Sequence, residues 1–195
     1  MGENYVAVVL DRGAMCDVSS VAWSPDGTQI AAGGSDKVVW VWAAASGASI
    51  VQPFTGHTGQ VESVAWSPDG TKIASGSSSG EIRVWEASTG RSLTRPVFSD
   101  NVSGTRRVEW SPDGTKIASS RSGDVYISDA LTGAIVGQPF AGHTAESVST
   151  VAWSPDGTKI AGAGTRFHDT DSGMTFRYYV RVWSAESLTR DSAAN

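Results

Sequence analysis

Apolar and polar residues alternate along Val61-Glu62-Ser63-Val64-Ala65-Trp66, the two-residue period of a strand with one face buried. Ser67-Pro68-Asp69-Gly70 then breaks the pattern with turn chemistry. Proline presets its own φ, aspartate bonds the local backbone, and glycine accepts a positive φ. A second strand is predicted over 71–76, a turn over 77–80, a third strand over 81–85 and, after Ala87-Ser88-Thr89-Gly90, a fourth near 92–98. No segment holds a helical period over ten or more residues, so the chain reads as all-β.

This unit recurs. Trp-Ser-Pro-Asp-Gly begins at Trp23, Trp66, Trp110 and Trp153, in steps of 43, 44 and 43 residues, a period that belongs to repeat architectures. Val-Ala precedes three of the copies, and Thr-Lys-Ile-Ala follows three. The predicted organisation is one unit over 1–195, with repeats at about 5–47, 48–90, 91–133 and 134–190. Residues 5–10 stand at the offset before Trp23 that 50–54 hold before Trp66, which predicts an opening strand of the fourth type. Residues 187–190 echo 92–95, so the last repeat is expected to stop partway through its fourth strand. That repeat is also longer, since Trp153 and Trp183 are 30 residues apart against 19 for Trp23 to Trp42 and for Trp66 to Trp85. The extra residues, within 165–175, are expected to lengthen the hairpin between its second and third strands. Arg166, Phe167, His168 and Asp169 make that stretch the candidate contact loop.

Composition narrows the chemistry. Hydrophobic residues at 39%, with 22 glycines and 8 tryptophans, fit a turn-rich β protein with enough apolar material for a core. A formal charge of -5 without a basic cluster gives no attraction for nucleic acid or an anionic membrane surface. Cys16 stands alone, which excludes an intrachain disulfide framework and a cysteine-rich zinc site and agrees with a reducing compartment. With neither a signal-like opening nor an apolar run of spanning length, a cytoplasmic location is expected.

The sequence resembles WD-repeat (WD40) β-propellers in Gly56-His57 before the first strand, in the Trp-Ser-Pro-Asp-Gly turn, and in Ile82-Arg83-Val84-Trp85-Glu86; Gly142-His143 repeats the first element. Gln52-Pro53-Phe54-Thr55-Gly56-His57-Thr58 and its near copy at 138–144 look most like long fungal or bacterial WD-repeat arrays, which often sit behind a nucleotide-binding signalling domain. The resemblance implies four four-stranded blades, half of a ring. It also implies an internal hydrogen-bond set of a Gly-His histidine, a second-strand Ser or Thr, a turn aspartate and the third-strand tryptophan. The second repeat offers His57, Ser75 and Trp85 but has Ser79 where the aspartate belongs. The first has Asp36 and Trp42 without histidine, the third has Ser128 in place of tryptophan, and the fourth has His143 and Trp183, so no copy reads as complete.

Other chemical signals are weak. Gly76-Ser77-Ser78-Ser79-Gly80 matches G-x-S-x-G, but a nucleophile elbow needs a helix to follow, and here a strand pattern follows. The acidic stretch from His168 to Gly173 has Val180 at the twelfth position from Asp169, where a calcium loop wants glutamate. The recurring Asp26, Asp69, Asp113 and Asp156 read as turn formers. No catalytic residue, cofactor or metal site is expected. The expected function is a non-enzymatic interaction scaffold, as a recognition segment of a larger signalling protein. The alternatives are a self-assembling structural unit without a ligand and a small-ligand binder in a central channel. Four blades leave two apolar faces open, and a two-fold homodimer would close them into eight blades, with residues 5–10 of one chain completing the last blade of the other; the alternatives are an excised half of a longer propeller and a pairing in which residues 187–190 close their own blade.

Overall fold

The computed structural model describes residues 17–94, 104–121, 123–140, 146–170 and 173–185. Among these residues the alternating segments form twelve strands in four antiparallel sheets of three. Blade 1 holds β1 (Val18–Trp23), β2 (Gln29–Gly34) and β3 (Val39–Ala43); blade 2 holds β4 (Val61–Trp66), β5 (Lys72–Ser77) and β6 (Ile82–Glu86). Blade 3 holds β7 (Thr105–Trp110), β8 (Lys116–Arg121) and β9 (Asp124–Asp129); blade 4 holds β10 (Glu146–Trp153), β11 (Lys159–Thr170) and β12 (Gly173–Ser184).

Each Trp-Ser-Pro-Asp-Gly turn is closed by its own side chains. Asp69 accepts hydrogen bonds from Ser67 Oγ at 2.5 Å, from the Thr71 amide at 3.0 Å and from Thr71 Oγ1 at 2.8 Å. Asp26, Asp113 and Asp156 repeat the set. The four turn glycines take φ near 70°, which a Cβ would oppose.

Fourth strands were expected; among the described residues the blades are three-stranded, and the outer segment, where described, is held to the third strand by isolated bridges. In blade 1 these are Trp42 with Ser49 and Val39 with Phe54, in blade 2 Trp85 with Ser92, and in blade 3 Ser128 with Ile135 and Val125 with Phe140. Between the two bridges of blade 1 the outer segment has two more residues than β3 and includes Pro53, which has no N–H to donate; Pro139 has the same place in blade 3. The ladder therefore cannot run unbroken. The expected strand over 5–10 and the weak strand over 187–190 lie outside the described residues.

Consecutive blades pack face to face, with β1, β4, β7 and β10 as neighbours in that order. The first interface buries Val61 and Val64 of blade 2 against Val39 and Val41 of blade 1, with Trp66 and Trp85 alongside. The second buries Ala74, Ile82 and Val84 of blade 2 with Val108, Trp110 and Ile117 of blade 3. Approach is close because the second strands carry small residues: a Cβ on Gly33 would come within 2.3 Å of Val61 Cγ1, and one on Gly76 within 2.5 Å of Thr105 Cγ2. Hydrogen bonds repeat across these two interfaces. Trp66 and Trp110 donate Nε1 to the carbonyls of Ala22 and Ala65, and Ser20 and Ser63 accept the amides of Val64 and Val108. At the third interface, Arg107 and Glu109 replace that serine and alanine. There the Trp153 amide bonds to Glu109 Oε1 at 3.3 Å, while its indole N–H is buried without a partner.

Candidate functional site

In blade 2 the histidine, serine and tryptophan are joined with an acidic side chain in one buried network. His57 Nε2 lies 2.6 Å from Ser75 Oγ, which also accepts the Trp85 indole N–H at 2.7 Å. His57 Nδ1 lies 3.0 Å from Glu81 Oε2, and Glu81 accepts both the amide and the hydroxyl of Thr58. The acid is therefore Glu81, immediately before the third strand, and not a residue at Ser79. This corrects the reading of an incomplete network, because an acidic side chain two residues later, one methylene longer than aspartate, reaches the same histidine. Burial holds His57 below its ordinary pKa, against the pull of Glu81. Burial alone would raise Glu81, but the bonds from Thr58 and His57 prevail and its pKa is lowered. His57 and Glu81 side chains are fully buried, and a His-Ser-Trp chain of this kind fixes rotamers.

The other repeats differ. Asp36 binds the Val38 amide and the Trp40 indole N–H at 2.8 Å, so it serves Trp40 and not Trp42, whose ring stacks on Trp40 at 6.0 Å. Trp183 packs on Phe140 with centroids 5.7 Å apart, as Trp85 packs on Phe54. His143 lies outside the described residues. Blade 3, with Ser128 for tryptophan, leaves Ser119 Oγ and Ser128 Oγ buried without partners.

The long hairpin of blade 4 is a regular ladder, in register from Lys159 opposite Ser184 to Thr170 opposite Gly173. Arg166, Phe167, His168 and Asp169 are thus residues of β11, paired with Arg177, Phe176, Thr175 and Met174, and not a loop; their side chains lie outside the description. After Gly76-Ser77-Ser78-Ser79-Gly80 comes β6, a strand. Among the described residues no three acidic, histidine or cysteine side chains gather to hold a metal ion. No helix among them is long and apolar enough to cross a membrane.

The two ends of the row carry exposed apolar faces. On β1 these are Val18, Val21 and Trp23, the last 61% exposed where Trp66 is 9% exposed; on β12 they are Phe176, Tyr178, Val180 and Val182. A family model described as WD domain, G-beta repeat, matches residues 10–43, 48–86 and 135–170, together more than half of the chain. The chain belongs to the WD40 family. Residues 87–134 fall between the matched segments, and there blade 3 keeps the WD40 turn and strand register while losing the third-strand tryptophan. The four sheets are accordingly blades of a β-propeller, and WD40 repeats as a class suggest a protein-interaction scaffold.

Proposed function

We propose that this WD40 chain is a non-enzymatic, cytoplasmic interaction scaffold that pairs with a second copy of itself to close an eight-bladed ring. The observation that carries the reading is the identity of the two exposed faces. Val18, Val21 and Trp23 hold the repeat positions of Val61, Val64 and Trp66, which blade 1 covers; Val180 and Val182 hold those of Ile82 and Val84, which blade 3 covers. One end of the row therefore presents the half of a blade–blade interface that the other end lacks. Eight blades need about 45° between neighbours, within the range that propellers adopt, and a two-fold axis makes two copies of the same contact. Apolar faces of this kind mark interaction sites.

Light scattering tests it. The expected mass is twice the 20.4 kDa of one chain, and Val182→Asp should yield a folded monomer by placing a charge in the contact. A wild-type monomer at micromolar concentration overturns the self-pairing. We further propose the β11–β12 hairpin, with Arg166 to Asp169, as the surface for a protein partner, because it is where one blade departs in length from its siblings. A role as recognition segment of a signalling protein rests on the resemblance to long WD-repeat arrays.

A further inference from the structure

Blade 3 differs from its siblings in a coordinated way on the face it turns to blade 2. Where the other repeats have Val18, Val61 and Val148, it has Thr105; where they have Gly34, Ser77 and Gly164, it has Arg121; where they have Trp42, Trp85 and Trp183, it has Ser128. The register relates these positions. Thr105 is directly opposite Arg121, Ser119 opposite Val108 and Tyr126, and Ser128 opposite Ile117, and both Val108 and Ile117 pack against blade 2. All three changes put polar side chains on one buried face, with Thr105 and Arg121 paired at one end and Ser128 four register positions away along β8.

Their hydrogen-bonding capacity is unmet. Arg121 is fully buried and donates Nη2 to the Gly80 carbonyl at 2.8 Å, but Nε and Nη1 make no hydrogen bond, and the same holds for Thr105 Oγ1, Ser119 Oγ and Ser128 Oγ. The guanidinium lies 5.1 Å from the Tyr126 ring centroid, which orients it without neutralising it. Among the described residues Arg121 enters no ion pair, although Asp124 is its register partner at the β8–β9 turn. Arginine does not discharge at working pH, and a buried charge without a counter-charge is strongly unfavourable. In blade 2 the Trp85 indole N–H satisfies Ser75, and at the Trp85 position blade 3 has Ser128, which leaves Ser119 without that donor.

We propose that the face between blades 2 and 3 lined by Thr105, Ser119, Arg121 and Tyr126 is a binding site for a small oxyanion of the phosphate or sulfate class. Such an anion brings the missing charge and several acceptor oxygens, and guanidinium–oxyanion bonds are among the stronger ones available to a protein. Full burial of Arg121 restricts the site to free ions and excludes a phosphoryl group on a macromolecule.

The test is the melting temperature of the full chain against inorganic phosphate, from micromolar to millimolar, at constant ionic strength held with chloride. Wild type should gain stability with the logarithm of phosphate concentration above the dissociation constant. Arg121→Ser, which installs the residue blade 2 has at this position, and Thr105→Val, which restores the valine of the other repeats, should each fold. The first should abolish the response and the second weaken the apparent affinity at least tenfold. A response equal in wild type and Arg121→Ser would be general salt exclusion and overturns the site. So does an unresponsive wild type, and in that case a large loss of stability in Asp124→Asn would assign the counter-charge to Asp124.

Discussion

Truncating Trp66 isolates what one interior blade contact is worth. The ring is 9% exposed, packs in the cluster of Val39, Val41, Val64 and Ile73, and donates Nε1 to the Ala22 carbonyl at 3.2 Å. Trp66→Ala is predicted to cost about 3 to 5 kcal/mol, the range for removing a buried aromatic ring from a core that relaxes only in part. The lost hydrogen bond adds little, because Ala22 is itself only half-buried and its carbonyl can turn to water. For a chain of this length each kcal/mol moves the midpoint by about 2 to 4 °C, so a fall on the order of 10 °C is expected. Thermal unfolding by circular dichroism, with urea midpoints as a second measure, provides the assay. Trp23 is the internal control, since it holds the same repeat position with 61% of its surface exposed. In dilute monomer, Trp23→Ala should cost less than about 1 kcal/mol, the scale of a surface change. At concentrations where two copies pair, the two substitutions should converge. A midpoint for Trp66→Ala within about 2 °C of wild type would refute the assignment of the ring to a load shared between blades 1 and 2.

Three further predictions follow from the same contacts. Ser75→Ala removes a hydroxyl that donates to Nε2 of the neutral His57 ring, whose Nδ1–H is given to Glu81, and accepts from Trp85 Nε1; it should cost about 2 to 4 kcal/mol, read from the urea midpoint, and a change under about 0.5 kcal/mol would show that the hydroxyl does not join them. Gly76→Val drives a branched side chain into Thr105 and Val108 and should separate blades 2 and 3, seen as loss of the cooperative transition; retention of a single wild-type transition would contradict the packing. Because the folded pKa of His57 lies below that of the unfolded chain, the unfolded state binds the extra proton as pH falls. Stability from this group is therefore complete above about pH 6.5 and declines below it, and His57→Gln should flatten that part of the profile. The lowered carboxylates of Asp69, Asp113 and Asp156 act in the same direction at lower pH: their contribution is present above about pH 4 and lost as pH falls through their folded values.

The repeat itself was legible because its determinants are local. Alternation in Val61 to Trp66 and the Ser67-Pro68-Asp69-Gly70 turn specify a hairpin through bonds between residues two to five apart, and the structure realises them with those partners. Proline placement was legible too, yet its consequence was missed: Pro53 and Pro139 sit in the outer segments and reduce them to bridges. Matching by position failed at Glu81, since the histidine network needs only a carboxylate within reach, and a longer side chain just before β6 supplies it. The same habit paired Asp36 with Trp42, where the shorter path runs to Trp40. Comparing repeats column by column would have flagged Arg121 and Thr105, each alone among small or apolar equivalents.

What the sequence by itself determined is the inner three strands of each blade, the turns between them and the order of the repeats, all set by short-range pattern. Only the tertiary structure decided how equivalent residues diverge. Trp23 and Trp66 have the same neighbours in sequence, but one is exposed and the other buried, because burial depends on whether another blade lies across the face. Arg121, Thr105 and Ser128 are separated along the chain and come onto one buried face only when β7, β8 and β9 pair and blade 2 closes over them. Such contacts join residues far apart in sequence, and no local periodicity encodes them.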